Sequence, residues 1–165
     1  MRKVTAARLS ESKATIPHYY PQQSIAMDNV NKLRKSLNTI ANGAYRISVN
    51  DFMIMVATPA LRDVPEINRL MPEESQGCSF TISNLGMYGI SSLSAIINPL
   101  HAAILSVGVT EQKLVLDESS EKGFKTADVM SVQLSADHRV VDGATGALFL
   151  KAFKGYLENP LTLIL

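Results

Sequence analysis

A chain of 165 residues, 46% apolar and 19% charged, has the composition of one folded domain that is neither disordered nor supercharged. Lys plus Arg number 16 against 15 for Asp plus Glu, a net charge of +1, which argues against a nucleic-acid partner; such binders show a basic excess on one face. The single Cys78 excludes an internal disulfide and a multi-cysteine zinc site, no apolar stretch reaches the ~20 residues of a bilayer span, and Met1-Arg2-Lys3 does not open an export signal, so the expectation is a soluble intracellular domain with no membrane partner.

Arg2 to Lys13 reads as a short helix, ended by the prolines of Thr15-Ile16-Pro17-His18-Tyr19-Tyr20-Pro21. After a short extended run, Asp28 is placed to cap a helix to about Ala41. Val30, Leu33, Leu37 and Ile40 would share its buried face, and Asn42-Gly43 would stop it. Ser48-Val49-Asn50-Asp51 carries a capping signal for a helix toward Leu61, which Pro59 should kink or end early. Strands are expected at Ser79 to Asn84, Ala103 to Val109, Lys113 to Leu116 and Val129 to Asp137. The last alternates, with Met130, Val132, Leu134 and Ala136 on one side. Asp117 to Gly123 reads as a hairpin turn. A final helix from Asp142 to about Leu157 would bury Leu148, Phe149, Phe153 and Tyr156, and an apolar tail, Leu161 to Leu165, follows Pro160. Helices, then strands, then a helix make an α+β sandwich.

The densest chemistry lies in Ser135-Ala136-Asp137-His138-Arg139-Val140-Val141-Asp142-Gly143. A histidine at a strand mouth, between an acid and an arginine and four residues from a second acid, can accept a proton while its neighbours fix its ring and charge. The plainer reading makes Asp142 a helix cap and Asp137–Arg139 a surface pair. His18 and His101 lack an acidic neighbour at useful spacing. Cys78 has no base or cation beside it and is a poor nucleophile candidate.

The stretch from Asp137 to Gly143 resembles the active-site motif of dihydrolipoyl acyltransferases, the core subunits of 2-oxo acid dehydrogenase complexes. The likeness continues in Met1-Arg2-Lys3-Val4, Thr15-Ile16-Pro17-His18-Tyr19, Ser48-Val49-Asn50-Asp51-Phe52, Phe80-Thr81-Ile82-Ser83-Asn84-Leu85-Gly86-Met87, Ile96-Ile97-Asn98-Pro99 and Tyr156-Leu157-Glu158-Asn159-Pro160, in the family's order. Met87-Tyr88-Gly89 and the Leu165 terminus look most like the acetyltransferases of pyruvate complexes in mitochondria and related bacteria. The resemblance implies a chloramphenicol-acetyltransferase-like mixed sheet with helices over residues 1–165, and acyl transfer from dihydrolipoamide to coenzyme A. By that likeness His138 is the general base, Ser83 the hydroxyl for the tetrahedral oxyanion, and Asp142 orients the motif. Arg34, Ser48, Asn84 and Gly108 match positions that touch coenzyme A. Arg34 also reads as a solvated charge, Ser48 as an N-cap, and Ser83 as a strand-end serine bonded to nearby backbone.

The resemblance further implies a homotrimer whose active sites span two subunits, trimers joined into a cage, and an apolar tail seated in a neighbour's socket or on its own core. Lipoyl domains and the dehydrogenase components of the complex would be partners, with the lipoyl group carried on another domain or polypeptide. The compartment would be the mitochondrial matrix or a bacterial cytoplasm. One departure stands out. After Val64-Pro65-Glu66-Ile67-Asn68 the family runs through several dozen residues before the stretch matching Pro72-Glu73-Glu74; here only Arg69-Leu70-Met71 intervenes. Ser75, Cys78 and Leu100 also depart from the pattern. The expectation is an internally shortened core domain with impaired transfer, or alternatively a structural assembly subunit with little chemistry. An unrelated coenzyme-A-dependent acetyltransferase would share only the histidine–acid–glycine spacing.

Overall fold

A computed structural model describes residues 2–68, 80–117 and 123–164. The expectations for Cys78 and Ser75, for the shortened junction and for the tip of the hairpin lie outside the described residues.

Helix α1 (Arg2–Thr15) buries only Ser12, whose hydroxyl donates to the Ile97 carbonyl at 2.6 Å. Strands β1 (His18–Tyr19) and β2 (Gln22–Ala26) follow where the sequence suggested only a break and an extended run. Helix α2 (Asp28–Ile40) is capped by Met27, not Asp28, and without a side-chain bond; Asp28 is inside the helix and accepts the Asp128 N–H at 3.4 Å. Val30 is buried and Leu33 and Leu37 pack on the core, but Ile40 is 76% exposed, because the helix ends there and turns through Asn42 and Gly43 at positive φ. Helix α3 (Val49–Asp63) starts with the expected capping box and runs through Pro59 instead of ending at it. The carbonyl that loses its partner belongs to Met55, on an exposed stretch of the helix where water can bond it.

The other strands are β3 (Thr81–Asn84), β4 (Ala103–Leu116) and β5 (Phe124–Asp137). The two strands expected at Ala103 to Val109 and Lys113 to Leu116 are one, interrupted by a register shift between Val107 and Thr110. The five-stranded sheet has the order β1-β5-β4-β3, with β2 also pairing β5; β3 runs parallel to β4 and the other pairs are antiparallel. Helix α4 (Gly143–Glu158) buries Gly146, Phe149, Leu150, Phe153 and Leu157. Leu148 is 55% exposed, so the buried stripe is turned from the expected one, while Tyr156 packs half-buried against the core and its hydroxyl donates to the Asp63 carboxylate at 2.6 Å.

Helices α2, α3 and α4 cover one face of the sheet. Phe52, Met53, Val56, Phe149 and Phe153 meet Leu105, Val107, Met130, Val132, Leu134 and Ala136 there, the alternation expected of β5. The opposite face carries Ser83, Ser106 and Gln133 in register across three strands. It lies under the backbone of residues 89–100: Val109 N–H donates to the Ile90 carbonyl at 2.8 Å and Ser94 bonds Gln133 at 3.1 Å. The tail forms a 3-10 turn, Pro160–Ile164, with Leu161 exposed and Leu163 packed against the chain's own core.

Candidate active site

Strand β5 ends at Asp137 in a tight turn. The Asp137 carbonyl accepts the N–H groups of Val140 and Val141 at 3.1 and 2.9 Å, and its buried carboxylate accepts the Arg139 N–H at 2.9 Å. The Arg139 guanidinium grips the same carboxylate in two-armed fashion, Nε to Oδ1 at 3.0 Å and Nη2 to Oδ2 at 2.7 Å. Burial pushes the Asp137 carboxyl up, but the hydrogen bonds and charge of Arg139 outweigh it and hold it below the ordinary carboxylate range. The surface pair expected at Asp137–Arg139 is therefore half-buried and shapes the turn.

His138 stands exposed at this turn, its backbone N–H donating to the Pro17 carbonyl at 3.1 Å. Its imidazole lies against the Tyr19 ring, centroids 4.7 Å apart at 55°. The Tyr19 hydroxyl donates to the Asp142 carbonyl at 2.7 Å. Asp142 is the N-cap of α4, its carboxylate accepting the Thr145 N–H at 2.7 Å; that bond, first, and the nearby His138 hold its carboxyl below the ordinary range. Sequence reasoning missed Tyr19, since no local pattern links it to a residue 119 positions away.

Ser83 is not near His138. Alternation turns Ile82 to the core and Ser83 to the other face, in register with Ser106 and Gln133. Tyr19, opposite Ala136, is on the helix-bearing face, and the His138 ring lies beside it. The run from Gln133 to His138 adds roughly 17 Å along the strand. One copy therefore holds the two groups on opposite sides of its sheet.

Ser48, Asn84 and Gly108 do share a cleft, of about 740 Å³, with Asn50, Ile82 and Met87. Ser48 is the N-cap of α3: its hydroxyl accepts the Asp51 N–H at 3.3 Å and donates to the Asp51 carboxylate at 2.8 Å. Asn84 bonds Asn50 at 3.3 Å and accepts the Gly86 N–H at 3.0 Å. Gly108 is where residues 89–100 cross β4; a Cβ there would meet the Ser91 carbonyl oxygen at 2.1 Å. Arg34, on α2, is not among the residues lining this cleft, and its Nε is buried and unpartnered. His18 takes the Ile97 N–H on Nε2 at 3.1 Å, which leaves Nδ1 to donate to the Ile16 carbonyl at 2.8 Å. His101 bonds Thr81 at 2.9 Å. Both tie loops to the sheet. Among the described residues no group of three or more His, Cys, Asp or Glu could hold a metal ion, and no helix is long and apolar enough to cross a membrane.

Residues 1–74 and 68–165 match the family described as 2-oxoacid dehydrogenases acyltransferase (catalytic domain). The dihydrolipoyllysine-residue acetyltransferase component of the mitochondrial pyruvate dehydrogenase complex of Schizosaccharomyces pombe is 41% identical over 221 aligned positions, covering 100% of this chain and 46% of the relative. The mitochondrial component of Dictyostelium discoideum is 40% identical, with 100% and 34% covered, and the component of Rickettsia conorii 34% identical, with 100% and 53% covered. The chain thus spans about half or less of the relatives it matches. In fold it is similar to the cubic core of a pyruvate dehydrogenase multienzyme complex, at TM-score 0.90 and 20% identity over 99% of this chain and 90% of that one. It is also similar to a chloramphenicol acetyltransferase, at TM-score 0.60 and 12% identity over 86% of each. The mixed sheet with helices expected from the resemblance is the observed fold, and the chain belongs to the family of 2-oxoacid dehydrogenase acyltransferase catalytic domains.

Proposed function

We propose that this chain moves an acetyl group from dihydrolipoamide to coenzyme A, in a site that a second copy of the chain completes. The observation that carries the proposal is the intact turn from Asp137 to Gly143, which presents an exposed imidazole beside a capped helix start. His138 takes the proton of the attacking thiol. Between a free thiol and a free imidazole in water, full proton transfer before attack would cost roughly 2.7 kcal/mol. That is small beside a chemical barrier and favours proton removal concerted with attack. The sulfur attacks the thioester carbonyl, and the hydroxyl of Ser83, from the neighbouring copy, donates to the oxyanion. Collapse expels the dihydrolipoamide thiolate, which regains a proton from the imidazolium.

The coenzyme is a substrate here, and the chain offers features that suit it. The buried Nε of Arg34 lacks a partner and suits an anionic group, and the cleft of Ser48, Asn84 and Gly108 suits a narrow pantetheine arm. The copies would form a trimer and trimers a larger cage, with Leu161 available to a neighbour while Leu163 stays on its own core. Lipoyl domains and dehydrogenase components of the complex would meet this core from outside the 165 residues. The relatives include mitochondrial and bacterial proteins, in keeping with a matrix or cytoplasmic home.

A second reading has its own support. The alignment to the Schizosaccharomyces pombe relative runs over 221 positions for 165 residues of this chain. We take the difference as an internal shortening near residues 68–71, and among the described residues β3 is the outermost strand of the sheet on that side. A chain so shortened could serve as an assembly subunit with little transfer. A thiol-release assay with acetyl-dihydrolipoamide and coenzyme A separates the two. Turnover that falls at least about 100-fold in His138→Ala supports the enzyme. Absent turnover, with the assembly's mass unchanged in that variant, supports the scaffold.

A further inference from the structure

We infer that Tyr19 is a positioning residue that holds the His138 imidazole in its working orientation and ties it to the start of α4. For its kinetic consequence the inference rests on the acyl-transfer reading; its structural content does not. His138 is exposed at a turn, and the bond from its N–H to Pro17 fixes only its main chain. A surface imidazole on a fixed backbone still samples several staggered rotamers. A base that spends most of its time in the wrong one loses rate in proportion.

What restricts the ring is the aromatic face beside it. Strand β1 is two residues long, and it pairs with the last residues of β5, His18 opposite Asp137 and Tyr19 opposite Ala136. That register puts Tyr19 on the helix-bearing face at the mouth of β5, where its ring lies 4.7 Å from the imidazole. A tilted contact at this distance is a favoured geometry for two aromatic rings. The phenol is anchored at its far end by the 2.7 Å bond to the Asp142 carbonyl. Burial, and then the charge of Asp142, raise the phenol's pKa, so it remains a protonated donor at neutral pH.

The seat for that phenol is built by a residue of α4. A Cβ on Gly146 would meet the Tyr19 hydroxyl at 2.5 Å and its ring at 3.4 Å. Tyr19 thus touches the base, the carbonyl of the helix cap and a glycine cut to its shape. No part of this arrangement needs the missing stretch, so it survives the shortening.

The test compares Tyr19→Leu, Tyr19→Phe and Gly146→Ala by proton NMR of the His138 ring and by steady-state kinetics. An imidazole held over an aromatic ring shows ring-current shifts of its carbon-bound protons. These shifts should persist in Tyr19→Phe, which keeps the ring, and collapse in Tyr19→Leu. The kcat should drop about tenfold in Tyr19→Leu and about threefold in Tyr19→Phe and Gly146→Ala, with KM for coenzyme A unchanged. If Tyr19→Leu does not fold, Gly146→Ala must still shift the His138 resonances, because it displaces the phenol from its seat. His138 resonances unchanged in Tyr19→Leu, or in Gly146→Ala where Tyr19→Leu does not fold, overturn the inference. Resonances that move in a chain without transfer activity leave the positioning intact and defeat the acyl-transfer reading instead.

Discussion

Ser83 and His138 occupy opposite faces of one sheet, Ser83 in register with Ser106 and Gln133, His138 beside Tyr19 past the end of β5. No side-chain rotation brings them together, since the sheet itself stands between. A reaction that uses both must draw them from two copies. Ser83→Ala alone should lose about 3 kcal/mol of transition-state stabilisation, and His138→Ala should lose most of the transfer rate. Unfolded and refolded together in equal amounts, the two inactive variants should recover about a quarter of the wild-type sites, those that pair an intact imidazole with an intact hydroxyl. Recovery is read in the thiol-release assay; none at all would mean that both groups act within one copy.

The grip of Arg139 on Asp137 makes a prediction about acid. The Asp137 carboxyl is held below its ordinary value, so the unfolded state binds its proton first as pH falls. Its stabilisation is present in full above the unfolded pKa near 3.9 and is lost as pH drops through the lower folded value. Asp137→Asn should cost about 2 kcal/mol at pH 7, a value kept modest because the Arg139 side chain is 58% exposed. The gap between variant and wild type should close below about pH 4 in urea melts followed by circular dichroism.

Two positions on the outer face of the sheet should respond in opposite ways. Gly108→Ala drives a methyl into the Ser91 carbonyl and should cost about 3 kcal/mol, lifting residues 89–100 off β4. Ser106, in the adjacent row, buries a hydroxyl without a partner, so Ser106→Ala should be neutral or stabilise by up to about 1 kcal/mol. Thermal melts at one protein concentration distinguish a large loss from a small gain.

Ser48 has a cap to keep whether or not it touches a ligand. Ser48→Ala should destabilise the chain by about 1 kcal/mol, while Ser48→Thr should restore most of it. Should the cleft hold the pantetheine arm, KM for coenzyme A will rise in Ser48→Ala by more than the melt explains. An unchanged KM would leave Ser48 as a cap alone.

Local chemistry was the legible part of this molecule. Ser48 and Asp51 spell a capping box, Asp142 a cap, and Met130 to Ala136 an inward-facing row, because each signal is complete within a few residues. Asp28 misled for the same reason: an acid before an apolar periodic run reads as a cap, yet Met27 holds that position. Strand β2 was hard to see because only Ile25 of Gln22-Gln23-Ser24-Ile25-Ala26 is buried, leaving no period to detect. The separation of Ser83 from His138 depends on register between distant strands, and the place of Tyr19 on a pairing of β1 with the end of β5. Neither leaves a trace in local spacing. Arg34 looked like a solvated charge or a ligand contact, and its buried, unpartnered Nε leans away from the first.

The bond from Tyr156 to Asp63 bears on how such a protein tolerates changes of length. It clasps the last turn of α4 to the last turn of α3, and Ile67, four residues beyond, is fully buried in the core. The polypeptide is thus moored immediately before Arg69, so extra sequence spliced in downstream would hang from a fixed post and leave the His138 turn undisturbed. Chimeras that insert additional sequence from the relatives near residues 68–71, where we propose the shortening, can then be compared with this chain as one chassis carrying interchangeable modules.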